Sequence, residues 1–299
     1  MRCRLLGDEE VRGLTAAAAV DAMREAVLLA DEGRLSAPPR VRTDLDDLGY
    51  VFTVGGVSAG PAGFRVYRVG ESGGDQLVAV WNADGELEGL VVGDELGARR
   101  TGALGAVAAD ALARADAETV AVIGSGDQAW TQLWALQAVR RLTAVRIYSR
   151  NPERRDRFAH RVTAGLGLAA EAVSDPGEAV RGADLIILAT RSPSPVIDAD
   201  DVAAGAHVVT VGPKSRDRHE TPLELVDRAQ LITCDSPEQA TAYGAPFFVD
   251  RDALIGLGAV LSGRHPGRRS PEEITLHCSV GLAGTEVMLA QRLLDQTGR

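Results

Sequence analysis

The sequence predicts an α/β protein of two domains: a doubly wound parallel sheet covered by helices, and a smaller α+β domain formed by the N-terminal part and the C-terminal helix. Three observations predict it. From Thr119 onward, short apolar runs alternate with helical segments, as strands of a sheet buried on both faces should. Before Leu96, alternating segments follow one another without helices between them, which reads as mostly antiparallel pairing. The glycine turn Gly124-Ser125-Gly126 sits where the first apolar run passes into a helix, and so makes the parallel domain Rossmann-type.

Taken in order, the chain opens with an amphipathic helix from Ala16 to Glu32 behind a Thr15 cap. A turn at Ala37-Pro38-Pro39-Arg40 follows, then strands at Tyr50–Val54, Gly63–Val69, Gln76–Asn82 and Leu87–Val92. Asn82-Ala83-Asp84-Gly85 supplies a hairpin turn between the last two. An alanine-rich helix, Ala98 to Ala115, leads to runs at Thr119–Ile123, Ala144–Tyr148, Ala170–Val173, Asp184–Ala189, His207–Val211 and Gln230–Cys234. The alternation stops near Tyr243, and a basic loop from Arg264 to Pro271 leads to a final helix from Ser279 to Asp295. The domains are thus 1–112, to which 264–299 return, and 113–263.

Composition narrows the function. At 299 residues, with 45% hydrophobic and 25% charged residues, the chain reads as an ordinary soluble protein with room for two domains. A net charge of -10, with only 4% aromatic residues, argues against nucleic acid. The cysteines Cys3, Cys234 and Cys278 are widely spaced and form no CxxC, so disulfides and structural zinc are not expected. No signal peptide and no run of about 18 apolar residues is seen, so the expected location is cytoplasmic, away from membranes. There is no GxSxG, HExxH or GxxxxGK[ST], and no cluster that points to a metal.

The run Val120 to Ile123 enters Gly124-Ser125-Gly126-Asp127-Gln128-Ala129, a G-x-G-x-x-A turn that opens a helix. Gly124 permits the tight turn, Gly126 lets backbone approach a pyrophosphate, and Ala129 keeps the helix close to the sheet. The second run ends Tyr148-Ser149-Arg150-Asn151-Pro152 without the carboxylate that binds a ribose 2′-hydroxyl in NAD enzymes. Arg150 suits a 2′-phosphate, with Ser149 and Asn151 beside it and Arg154 or Arg155 in support. NADP(H) is therefore expected in preference to NAD(H). Thr190 and Gly212, at the ends of the fourth and fifth runs, join the expected cofactor contacts, as does Thr101 in the first turn of its helix.

The chain resembles the ornithine cyclodeaminase/mu-crystallin family. The resemblance rests on Arg100-Thr101-Gly102-Ala103, on the glycine turn at its interval, and on Ala183 to Thr190. Gly205-Ala206-His207-Val208, Glu220, Ile274-Thr275-Leu276 and the tail Ser279-Val280-Gly281-Leu282-Ala283 extend it over most of the chain. It implies a subunit whose smaller domain holds substrate and makes a homodimer interface. It also implies hydride transfer between nicotinamide and an α-amino or α-imino carbon. An exposed antiparallel sheet in that domain favours pairing of subunits as well.

The resemblance implies that Arg100, with Arg40 as a second arginine, binds a substrate carboxylate, and Arg42 is a close competitor for the second place. Two departures bear on the chemistry. Arg65 stands where the family commonly has lysine, which makes it a binding group, since arginine does not deprotonate. Lys214 aligns with the aspartate that serves as acid/base in ornithine cyclodeaminases, which counts against that reaction. Lys214 offers a carboxylate clamp, a proton donor or an outward-facing charge, and His219 an acid or a structural loop residue. The expected function is an NAD(P)H-dependent imine reductase or amino-acid dehydrogenase acting on a small carboxylate-bearing imino, amino or keto acid. The alternatives are a cyclodeaminase with bound NAD and a binding protein for NADPH and a carboxylate without turnover.

Overall fold

The computed structural model describes residues 3–45, 48–69 and 75–298, and the chain divides into two units, Met1–Arg100 with Gly281–Arg299, and Thr101–Val280.

In the first unit, β1 (Arg4–Leu6) and α1 (Asp8–Arg12) precede α2 (Ala16–Asp31). Thr15 starts α2 by accepting from the Ala18 N–H at 3.2 Å. Ala19, Met23, Ala26 and Val27, at helical spacing, face its core. Six further strands follow: β2 (Leu35–Ser36), β3 (Val41–Leu45), β4 (Leu48–Val57), β5 (Ala62–Val69), β6 (Leu77–Trp81) and β7 (Leu87–Val92). Their order is β1-β7-β6-β5-β4-β2, with β3 also on β4. Only the β1–β7 pair is parallel. The expected hairpin lies between β6 and β7: Asn82 Oδ1 accepts from the N–H groups of Asp84 and Glu86, and Gly85 has φ 79°. The sheet has three strands beyond the four expected: β1 and β2 are too short to show alternation, and β3 is exposed at every residue, so it has no buried face to alternate with.

The C-terminal helix, Thr285–Thr297, buries Val287, Ala290, Leu293 and Leu294 in this unit. It begins later than the Ser279 expected from sequence. Gly281 and Gly284 adopt φ 84° and 83°, a left-handed backbone that cannot continue a helix. In the chain, α3 (Glu95–Leu112) carries the boundary between the units.

The second unit is a parallel sheet. Its strands are β8 (Thr119–Ile123), β9 (Ala144–Tyr148), β10 (Ala170–Ala172), β11 (Leu185–Leu188), β12 (His207–Thr210), β15 (Leu231–Cys234), β16 (Leu254–Gly256) and β17 (Thr275–Cys278). A separate hairpin joins β13 (Lys214–Ser215) to β14 (Arg218–His219). Six helices accompany them: α4 (Asp127–Leu136), α5 (Pro152–Leu166), α6 (Pro176–Val180), α7 (Leu223–Arg228), α8 (Pro237–Thr241) and α9 (Leu257–Leu261). The sheet order is β10-β9-β8-β11-β12-β17-β15-β16. Central strands β11, β12, β15 and β17 are buried at every residue, as helices on both faces require.

The parallel unit runs past residue 263, where sequence patterning ends it, to Val280. The reason is β17, inserted between β12 and β15. Thr275 and His277 interrupt its apolar run, so it lacks the signature of the other central strands. Among the described residues no helix is long and apolar enough to cross a membrane.

Candidate functional site

The turn after β8 is built around two glycines with different reasons to be glycine. Gly124 has φ 127°, and a methyl there would strike the Ala189 carbonyl. A methyl on Gly126, by contrast, would meet no protein atom within 4 Å. Packing does not demand glycine at 126, whereas a phosphate group drawn against the backbone does. Gly126 is the N-cap of α4, whose first N–H groups have no acceptor within the helix. The turn therefore fits a dinucleotide pyrophosphate.

The Arg100-Thr101-Gly102-Ala103 segment supports this helix. A methyl at Gly102 would strike the Thr131 carbonyl, and one at Gly105 the Gln132 side chain, so both glycines let α3 lie close on α4. Gln132 Nε2 also donates to the Thr101 carbonyl at 3.2 Å. At the tip of β9, Ser149 Oγ accepts from Ser125 Oγ at 3.1 Å. Asn151 caps α5 by accepting from the Arg154 N–H at 2.9 Å, and Arg150 and Arg154 are exposed beside it. Asp127 pairs at the surface with Arg161 at 3.4 Å, which stacks on Trp130.

The carboxyl ends of β11 and β12 are tied by one buried carboxylate, Glu220, 0% exposed. Its Oε2 accepts from Thr190 N and Oγ1 at 2.8 and 2.7 Å, and its Oε1 from Thr210 Oγ1, Val211 N and Gly212 N at 2.8, 3.1 and 2.5 Å. Five donors replace the water this carboxylate loses on burial. A methyl at Gly212 would collide with Thr190 O and the Glu220 carboxylate, so Gly212 is fixed by packing as well as by any ligand.

Lys214 and His219 face each other in register on the β13–β14 hairpin. Lys214 is not an outward-facing charge: it is 1% exposed, and its Nζ donates to the Gly212 carbonyl at 2.6 Å. His219 pairs through Nδ1 with the Thr221 carbonyl at 2.7 Å and stacks on Phe248. An Asp–His pair that sequence patterning does not reveal lies at the ends of β15 and β17: His277 Nε2 meets Asp235 Oδ1 at 2.6 Å, both fully buried. His277 Nδ1 meets Thr233 Oγ1 at 2.9 Å. Burial pushes the neighbouring Cys278 thiol up to about 12, so it is inert. Among the described residues, no group of three or more His, Cys, Asp or Glu could hold a metal.

The first unit gathers arginines. Arg65, Arg100 and Glu286 are buried at 8%, 7% and 2% exposure. Glu286 Oε1 accepts from Arg65 Nη1 at 2.7 Å and from Arg100 Nη2 at 2.5 Å. Burial alone would raise the Glu286 carboxyl, but Arg100 and then Arg65 outweigh it and hold it at about 2. Arg65 also donates to Gln76 and lies 4.1 Å over the Tyr67 ring, while Gln76 donates to Asp94 at 3.0 Å. Arg100 Nε is buried with no hydrogen-bond partner. A methyl placed on Gly281 would lie 3.1 Å from Arg40 Nη2 and 3.3 Å from Arg100 Nη1, so two guanidiniums converge on one small space.

The profile of the ornithine cyclodeaminase/mu-crystallin family matches residues 6–298. The chain belongs to that family. It is 34% identical over 220 residues to Delta(1)-pyrroline-2-carboxylate reductase of Bacillus cereus (strain ATCC 14579), covering 71% of this chain and 67% of that one. Among solved structures it is similar to Delta(1)-pyrroline-2-carboxylate reductase of Thermococcus litoralis in complex with NADH and L-proline. That structure gives a TM-score of 0.90 at 25% identity, over 98% of this chain and 97% of that one. An archaeal alanine dehydrogenase dimer with bound NAD gives a TM-score of 0.89 at 26% identity, over 99% and 96%.

Within this family fold, the structure brings Ser125 to Ser149, Thr190 to Gly212 through Glu220, and Arg40 and Arg100 to Gly281. Arg65 joins Arg100 through Glu286. Sequence reasoning passed over Glu286, Asp235 and His277, and took Glu220 only as part of a motif. The available signal was a charged or titratable residue inside an otherwise apolar strand end or helix face.

Proposed function

We propose that this chain is an NAD(P)H-dependent oxidoreductase acting on C–N bonds, an imine reductase or amino-acid dehydrogenase for a small α-imino or α-keto acid. The observation that carries it is the convergence of Arg40 and Arg100 beside Gly281. Paired guanidinium donors match the two oxygens of a carboxylate.

The cofactor supplies hydride from its reduced nicotinamide. The chain's residues do the rest. The turn at Gly124–Gly126 and the start of α4 would hold the pyrophosphate of a bound cofactor, and Arg40 with Arg100 would grip the substrate carboxylate. Reduction adds hydride to the imine carbon and a proton to its nitrogen. Lys214 and His219, paired in register on their hairpin, are the candidate donors of that proton, with a bound water as the alternative. Arg65 is a strut, engaged by Glu286, Gln76 and Tyr67, and moves no proton.

NADPH is the preferred cofactor. Arg150 and Arg154, exposed at the end of β9 where no carboxylate stands, suit a 2′-phosphate. The working unit is a homodimer. Val41, Leu45, Leu48, Phe52 and Val54 expose one apolar face of β3 and β4, between 36% and 61% each, and a second copy would cover it. A cytoplasmic setting is part of this reading, on the wide spacing of Cys3, Cys234 and Cys278 in the sequence.

Loss of reduced-nicotinamide absorbance, followed with NADPH or NADH and a panel of α-keto acids with ammonia or methylamine, tests this reading. Consumption of NADPH with one class of keto acid is expected. Tight NADPH binding without consumption across the panel would instead favour a binding protein.

A further inference from the structure

We infer that Glu286 is a positioning residue for the carboxylate clamp: by taking one terminal nitrogen of Arg100 it aims the other at Gly281, beside Arg40. The inference rests on the carboxylate-binding reading of Arg100.

A guanidinium is a rigid planar fork, so fixing one terminal nitrogen sets the direction of the other. Arg100 Nη2 is on Glu286 Oε1 at 2.5 Å, and Arg100 Nη1 lies 3.3 Å from the point where a Gly281 methyl would stand. Glu286 is itself fixed. It sits in the first turn of the C-terminal helix, where a negative charge is favoured, and Thr285 Oγ1 reaches its Oε2 at 3.3 Å. Its Oε1 is shared with Arg65 Nη1 at 2.7 Å, and Arg65 is braced by Gln76 and Tyr67. One carboxylate oxygen thus separates two buried cations that would otherwise repel.

Arg100 Nε, on the same edge of the guanidinium as Nη2, is buried with no hydrogen-bond partner. Glu286 partly compensates the charge of the cluster. A stability role alone explains this less well, since a buried ion pair is seldom more stabilising than an apolar replacement.

A double-mutant cycle on the full chain tests the inference, reading the KM for pyruvate with methylamine, the NADPH Kd and the melting temperature. Arg100→Ala should raise KM by about 100-fold and Glu286→Gln by about 10-fold, both with the NADPH Kd unchanged. Combining them should raise KM no further than Arg100→Ala alone, because Glu286 acts through Arg100. Multiplying effects, or an unchanged KM in Glu286→Gln while Arg100→Ala is impaired, would overturn the positioning role alone. An unchanged KM in Arg100→Ala would overturn the carboxylate reading along with it. If Glu286→Gln does not fold, Glu286→Asp keeps the charge but withdraws it by one methylene, and should show the same non-additivity.

Discussion

The glycine turn and the arginine cluster, the two places proposed to hold an anion, draw their donors from different materials. Between Gly124 and Ala129 the donors are backbone N–H groups supplied by contiguous residues, and the side chains matter chiefly by being absent. Around Gly281 the donors are side chains from positions 40 and 100, held by a carboxylate from position 286 and an arginine from position 65. A backbone site is rigid once its strand and helix form. A side-chain site needs a scaffold of its own, and here that scaffold is a buried salt bridge.

The sharpest way to break this contrast is Gly126→Val. Because a Cβ there meets no protein atom within 4 Å, melting should change little while NADPH binding weakens by about 100-fold or more, about 3 kcal/mol. Calorimetry and a thermal melt on the same sample would decide it, and a large drop in melting temperature would show that packing, not ligand approach, requires the glycine. A smaller effect is expected at the other end of the cofactor. Arg150→Ser should lower the preference for NADPH over NADH by about tenfold, the worth of one charge-assisted contact. An unchanged ratio of kcat/KM would leave Arg150 a surface charge.

The smallest effect separates the sites by pH. Glu286 titrates at about 2 in the folded chain against an ordinary 4.5, so its stabilisation is complete above 4.5 and is lost as pH falls toward 2. Thermal melts from pH 5 to pH 2 should show a loss that Glu286→Gln lacks. Equal acid sensitivity in both proteins would place that sensitivity elsewhere.

The same contrast explains what was legible in the sequence. The turn at 124–129 could be read because its chemistry is contiguous and lies between a strand pattern and a helix pattern. Arg40, Arg65 and Arg100 were visible as candidates, but only folding shows Arg65 bracing Arg100 through Glu286. The local mark on Glu286 is weak, a charged residue on an apolar helix face but in a first helical turn, where acidic residues are common on other grounds. Glu220 was visible only as part of a motif and its role was not, since its five partners come from the ends of two strands. The strand at Thr275–Cys278 escaped because two of its four residues are polar, each satisfied by a neighbour that patterning cannot supply.

That strand has a consequence for how the protein is made. The sheet order places β17 between β12 and β15, so the last strand synthesised fills the middle of the sheet. Until residue 278 has left the ribosome, β12 and β15 each present an open edge, and the nascent chain holds two half-sheets with unpaired backbone. The closing segment works like a keystone, and a stalled or truncated chain would carry adhesive edges where the finished protein has none.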